Sequence, residues 1–234
     1  MNPILDSIAL SPLGEKLTRH LFDEAAAFHQ FDDGCHGLDH VQRVHSLALT
    51  IGRELAARPD ILSAAAILHD IGRRFETESR GAVCHAAKGA ELARPILRES
   101  GFSGDDADQV LHCIACHRFR GDRIPVSMEA KILFDADKLD SIGATGIGRA
   151  FLFAGQVGAR LHNPNNDVSG TLSYSRDDTA YREYTVKLSK IKDRMLTEPG
   201  RRLANARHRF MERFFQQLLA EIAGEGHSRH HEET

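Results

Sequence analysis

Four polar residues, His40, the adjacent pair His69-Asp70, and Asp137, each lie inside an apolar segment with helical periodicity. A chain that places imidazoles and carboxylates on the core faces of three separate helices must bring them together, because an isolated buried polar group is costly and an isolated buried charge more so. The pattern therefore demands a helical body whose core faces converge on one point. Mixed imidazole and carboxylate donors suit divalent Mn, Fe, Co or Ni, with Mg feasible, and a site with open positions activates water for attack on phosphorus. The expectation is a metal-dependent hydrolase of a phosphorylated molecule, with one divalent ion per chain or two.

Composition agrees with an all-α fold. The 234 residues are 41% hydrophobic and 27% charged, with no Trp and three Tyr, so strand formers are thin and one sizeable core is affordable. Lys and Arg total 30 against 33 Asp and Glu. That balance provides no polybasic field for nucleic acid or anionic lipid, and a small nucleotide substrate is the expected partner. No apolar run approaches the roughly 20 residues needed to span a bilayer, and the first residues lack a basic segment followed by a hydrophobic one. A cytoplasmic protein is expected, with no membrane partner and a homodimer left open. Cys35, Cys84, Cys113 and Cys116 are too sparse for a disulfide framework.

The chain is clearly punctuated. Asp39 with Gln42 reads as a capping box, after which His40, Val44, Leu47 and Ile51 share one helix face. Asp60 after Pro59 starts a second helix that Gly72 ends, with His69 and Asp70 in its last turn. A third segment runs from about Val83 to Leu97 with His85 at its start; a fourth begins at Ser103 and carries Val110, Ile114 and His117 on one face. Ser127 caps a fifth, where Ala130, Leu133 and Asp137 share a side. Gly143, Gly146 and Gly148 permit a turn or close packing, and 160–182 is a long polar loop without periodicity. Two amphipathic helices follow, one with Tyr184, Leu188, Ile191 and Met195, the other with Leu203, Phe210, Phe214 and Leu218.

The order His, His-Asp, Asp, carried by GLDHVQRVHSLAL, AAAILHDIGRRF and FDADKLDSIGATGIGRAF, resembles the HD-domain metal-dependent phosphohydrolase superfamily. The DADKLDSIGATGIGRAF stretch and KLSKIKDRMLTEPGRRLANARHRFMERF are similar to a bacterial branch that includes a Bacillus nucleoside-triphosphate pyrophosphohydrolase. The resemblance covers roughly 25–223 and implies a single HD-domain helical bundle with additional C-terminal helices, an N-terminal segment 1–24 and a tail 224–234. It implies His40, His69, Asp70 and Asp137 as metal ligands and cleavage of a (deoxy)nucleoside triphosphate to monophosphate and pyrophosphate. Other members act as phosphomonoesterases or phosphodiesterases on other nucleotides, and a metal-bound nucleotide sensor without turnover is the alternative of another class. In binuclear members extra histidines fall where His85 and His117 stand, with Asp70 able to bridge.

Phosphoryl transfer also needs cations against the phosphate oxygens. Lys88, three residues past His85, and Lys138, next to Asp137, rank first, together with Asp70 as a water-orienting group. Asp140 is expected beside the site as an acceptor for a ligating imidazole or for a proton. Arg43, Arg73, His117 and Arg149 are candidates for substrate phosphate; Phe75, Phe119 and Tyr174 are candidates for base stacking. Cys113 to His117 spells CxxCH, the c-type haem attachment pattern. Without an export signal, and inside an amphipathic helix, its cysteines read as small core residues; a structural zinc with Cys35 or Cys84 lacks a second CxxC.

Overall fold

The structure is a computed structural model that describes residues 11–29, 34, 36–118 and 123–225; Cys35, Phe119 and most of the 224–234 tail lie outside them. Its described residues are helical, with no strand. They divide into two compact units, one formed by the chain through Asp140 together with Met195–Arg201, the other by Ser141–Arg194 and the chain from Arg202.

The first unit is built around one short helix. In chain order its helices are α1 (Glu15–Phe28), α2 (Leu38–Glu54), α3 (Pro59–Leu68), α4 (Arg73–Glu78), α5 (His85–Glu99), α6 (Gly104–Cys116) and α7 (Met128–Asp140). Every residue of α3 from Ile61 to Leu68 is buried. A helix apolar on all sides belongs in the middle of a core, and α3 is packed by α1, α2, α6 and α7. Its small residues Ser63, Ala64, Ala65 and Ala66 let the neighbours approach closely. Gly52 of α2 does the same from the other side, since a methyl group there would collide with Leu62. The HD pair follows at the C-terminal end of this helix, which places it at the centre of the unit.

Local signals set most of the boundaries. Ser103 caps α6 by accepting from the Asp106 amide (3.2 Å), and Ser127 accepts from the Ala130 amide (3.1 Å) at the start of α7. Pro59 occupies the first turn of α3, where its missing N–H costs nothing. The expected cap at Asp39 is not formed. Gly37 precedes α2 without a side-chain cap, and Asp39, inside the first turn, pairs with Arg43 one turn on. The last turn of α3 also closes earlier than expected: it ends at Leu68, so His69 is its C-cap and Asp70 lies in the turn beyond. Gly72 completes that turn, and a Cβ there would collide with the His85 carbonyl. With Gly89 opposite, this contact sets the turn after Asp70 against the start of α5.

The second unit holds α8 (Gly143–Gln156), a 3₁₀ turn at Pro164–Asn166, α9 (Ala180–Val186), a 3₁₀ segment at Leu188–Arg194 and most of α10 (Glu198–Ile222). Segment 160–182 has a built interior. Buried Asn163 donates to the Asp177 carbonyl (2.9 Å) and accepts from Thr179 (2.5 Å), while Arg182 reaches the Thr171 hydroxyl (2.7 Å) and Asp178 (2.8 Å). The first of the two expected C-terminal helices breaks at Lys187, where the backbone leaves helical angles. Beyond its first turn the buried positions of α10 are Ala204, His208, Met211 and Phe215, one register off the expected Leu203, Phe210, Phe214 and Leu218. Both sets have helical spacing, and Phe215 wins the core by stacking on Tyr184 (4.5 Å).

Among the buried histidines, His45 is held by a hydroxyl. His45 on α2 is fully buried, its Nε2 is bonded to the Ser63 hydroxyl (2.7 Å), and burial lowers its pKa to about 4. A base whose folded pKa lies below its unfolded value contributes stability that is complete above the unfolded pKa and is lost as pH falls toward the folded one. A fall from 6.5 to about 4 is worth about 3 kcal/mol. The stability gap between wild type and His45→Gln, measured by denaturant unfolding, is expected to shrink by about that amount between pH 6.5 and pH 4; a gap constant across the window contradicts the assignment.

Candidate metal centre

Each histidine of the centre is placed by its helix and turned by its own Nδ1. His40 stands in the first turn of α2, and its Nδ1 is 2.8 Å from Asp140 Oδ2 on α7. His69, the C-cap of α3, donates through Nδ1 to the Ala66 carbonyl (2.8 Å). His85, the first residue of α5, is bonded through Nδ1 to the Glu76 carboxylate on α4. His117, the C-cap of α6, donates through Nδ1 to the Ile114 carbonyl (2.7 Å). Carbonyls and carboxylates only accept, so each Nδ1 carries the proton and each Nε2 presents a lone pair.

Those lone pairs face each other. His40 Nε2 lies 3.2 Å from His69 Nε2, and His85 Nε2 lies 3.0 Å from His117 Nε2, with no proton between them in the neutral rings. Burial keeps the His40, His85 and His117 rings neutral: it lowers the pKa of His40 against the pull of Asp140, takes His85 to about 4 and pushes His117 well down. Such an arrangement is repulsive unless a cation lies between the nitrogens. Adjacent donors about 2.1 Å from an octahedral ion stand about 3.0 Å apart, so the observed spacing fits a divalent metal.

The carboxylates complete two groups. His40, His69 and Asp137 form one, and Asp70, His85 and His117 the other, with the donor atoms of each within 4.8 Å of one another. Asp70 turns Oδ1 toward His85 (3.2 Å) and His117 (3.7 Å), and its Oδ2 lies 3.9 Å from His40 Nε2. One carboxylate thus faces both groups. Burial alone would raise the Asp70 carboxyl; the Arg73 guanidinium beside it holds it well below the usual carboxylate range. Burial acts on Asp137 in the same sense and is overruled by the Lys138 ammonium.

Among the described residues, the four acids of the centre each have a cation. Arg73 grips both oxygens of Asp70 (3.0 and 3.1 Å), Lys138 bonds Asp137 Oδ2 (2.7 Å), Arg43 reaches both oxygens of Asp140 (2.6 and 3.1 Å), and Arg118 bonds Glu76 Oε1 (2.5 Å). Arg43 is shared with Asp39, so the cations offset most of the acidic charge around the centre. The C-termini of α3 and α6, capped by His69 and His117, add partial negative charge that favours a cation there. Asp137 keeps 15% of its side chain exposed and Arg73 28%, whereas His40 and His117 keep 1%, so the centre opens to solvent at Asp137 and Arg73.

The structure brings together His40, His69, Asp70, His85, His117 and Asp137, with Arg43, Arg73, Lys138 and Asp140 against them. The Lys88 ammonium bonds Glu91 (2.8 Å) and lies over the Phe75 ring. Arg149 lies on α8 in the second unit, half-buried. Cys113 and Cys116 are buried in the core of α6, with burial raising the Cys113 thiol to about 12, and His112 bonds the Val126 amide (3.3 Å). Glu76 was not among the candidates. It lies six residues past Asp70 and nine before His85, and no motif marks a carboxylate at that spacing; only the fold of α4 against α5 brings it to the imidazole.

The family model for the HD domain matches residues 37–142, the stretch that carries the whole centre. The YpgQ protein of Bacillus subtilis is 36% identical over 194 residues, covering 81% of this chain and 85% of the relative. The structure of YpgQ in complex with ADP aligns with a TM-score of 0.70 at 31% identity, over 89% of this chain and 96% of that one. An HD-superfamily hydrolase from Bacillus thuringiensis aligns equally well, with a TM-score of 0.70 at 27% identity over 89% and 97% of the two chains. The chain belongs to the HD-domain hydrolase superfamily.

Proposed function

We infer that the protein is a metal-dependent phosphohydrolase whose substrate is a nucleoside triphosphate, cleaved to the monophosphate and pyrophosphate, with His40, His69, Asp70 and Asp137 as ligands of one divalent ion and Asp70, His85 and His117 as ligands of a second. The observation that carries this reading is the set of four Nε2 lone pairs turned inward around two carboxylates. When bound, the metal supplies an acidified water nucleophile and a Lewis acid for the phosphoryl oxygens. Asp140, Glu76 and the two helix carbonyls hold the imidazoles in the tautomer that ligation requires. Asp70, gripped by Arg73, is fixed where its oxygens face both groups.

The charge balance supports a polyphosphate. Because Arg43, Arg73, Arg118 and Lys138 already offset most of the acids around the centre, divalent ions would leave a net positive field in a partly open pocket, one that draws highly anionic ligands. The same balance assigns work to the cations. Lys138 and Arg73 neutralise Asp137 and Asp70; with those carboxylates holding an ion, both cations would be available to phosphate oxygens at the exposed edge. The ADP complex of YpgQ supports a nucleotide as ligand.

Purified protein loaded with Mn and offered phosphorylated metabolites is expected to release pyrophosphate from nucleoside triphosphates. Phosphate alone, or activity confined to monoesters or diesters, replaces the substrate assignment; no turnover of any of them despite bound metal favours a sensor. Asp70→Ala and Asp137→Ala are expected to lose metal and activity together, read by elemental analysis beside rate. Lys138→Ala is expected to keep the metal and raise the barrier by about 2–4 kcal/mol, as loss of one oxyanion donor does. Lys88→Ala, whose ammonium serves Glu91, is expected to stay within about threefold of wild type, as a surface change does.

A further inference from the structure

The two groups of ligands are held by the same device used twice. In each, the first histidine stands in the first turn of a helix, His40 on α2 and His85 on α5, and the second is the C-cap of the next long helix, His69 after α3 and His117 after α6. In each, the C-cap histidine is tied to the carbonyl three residues back. In each, the first histidine is tied to a carboxylate that an arginine holds from behind: Asp140 with Arg43, Glu76 with Arg118.

The copies differ where it matters for affinity. The His40 group owns a carboxylate, Asp137, and faces Asp70 as well. The His85 group has only Asp70, whose two oxygens are also gripped by Arg73. The anchors differ too: Asp140 is 1% exposed, while Glu76 keeps 18% of its side chain exposed and sits on a helix of six residues. We propose that Glu76 is the positioning residue of the second metal site, and that this site is the weaker and exchangeable one of the pair. The proposal rests on the reading of both groups as metal sites.

A buried carboxylate on Nδ1 raises the basicity of Nε2 and fixes the ring, and losing such a partner typically costs 10–100-fold in metal affinity. Without Glu76 the His85 ring has no anchor, whereas His40, His69 and His117 keep theirs. Gln at position 76 retains an amide oxygen that accepts from Nδ1–H, but lacks the charge that binds Arg118. The effect is therefore expected to be graded.

The test titrates metal-stripped wild type, Glu76→Ala and Glu76→Gln with Mn(II) alone, counting free ion by electron paramagnetic resonance and following the spin-coupled signal of an ion pair. Wild type is expected to bind two ions in unequal steps. In Glu76→Ala the weaker step should move up by about 10–100-fold and the coupled signal with it, while the tighter step stays within about twofold; Glu76→Gln should fall between. Circular dichroism melts check that the variants fold, and Glu76→Gln alone decides the matter if the alanine variant does not. An unchanged second step, an equal loss at both steps, or a wild type that stops at one ion overturns the proposal. Wild type that binds no Mn(II) overturns it together with the functional reading, a result distinct from the other three.

Discussion

The Nδ1 tethers of His40, His69, His85 and His117 decide which nitrogen each ring turns toward its neighbours, and the rest of the centre is built on that choice. Two tethers end on helix carbonyls and two on carboxylates, yet each places a proton on the outer nitrogen and a lone pair on the inner one. The folded chain therefore holds like dipoles head to head at 3.0 and 3.2 Å. Stability elsewhere in the unit has to carry that repulsion until a cation relieves it. Helix α3, buried at every residue from Ile61 to Leu68 beneath the HD pair, supplies the rigid support.

Helix α7 shows how one short acidic run does three jobs. Residues two apart on a helix point nearly to opposite sides, while residues three apart share a face. Asp137 turns to the histidines, and Asp140 on the neighbouring face receives His40 and Arg43. Asp135 turns away and is fully buried, accepting from the Leu196 and Thr197 amides (2.8 Å each) and the Thr197 hydroxyl (2.6 Å). Gly200 leaves room for that carboxylate, since a Cβ there would collide with it. The same residue type thus faces metal ligands, steers a ligand and pins the start of α10, according to angle alone.

Charge pairing links fold to reactivity. An isolated carboxylate buried like Asp70 would be expected to take up a proton, but Arg73 keeps it ionised and so able to meet a metal. The arrangement also sorts the cations by use. Arg43 and Arg118 sit behind carboxylates that steady histidines, whereas Arg73 and Lys138 sit on carboxylates that face the ligand groups.

Periodicity in the sequence determined the all-α class and the core-facing positions of His40, His69 and Asp137, because a helix repeats its face every three to four residues and an apolar face must be buried. Ser103 and Ser127 were legible for a related reason: a cap acts within one turn. Tertiary structure decided what depends on distances between helices far apart in the chain. It set His85 and His117 beside Asp70, gave Glu76 to His85, turned Asp140 to His40 and left Lys88 with Glu91. The register of α10 was likewise decided by packing, since Phe214 and Phe215 satisfy the same period and contact with Tyr181 and Tyr184 favours Phe215. Helical period states which way a side chain points, whereas the partner it meets is fixed by close approaches such as that of Gly72 to the start of α5.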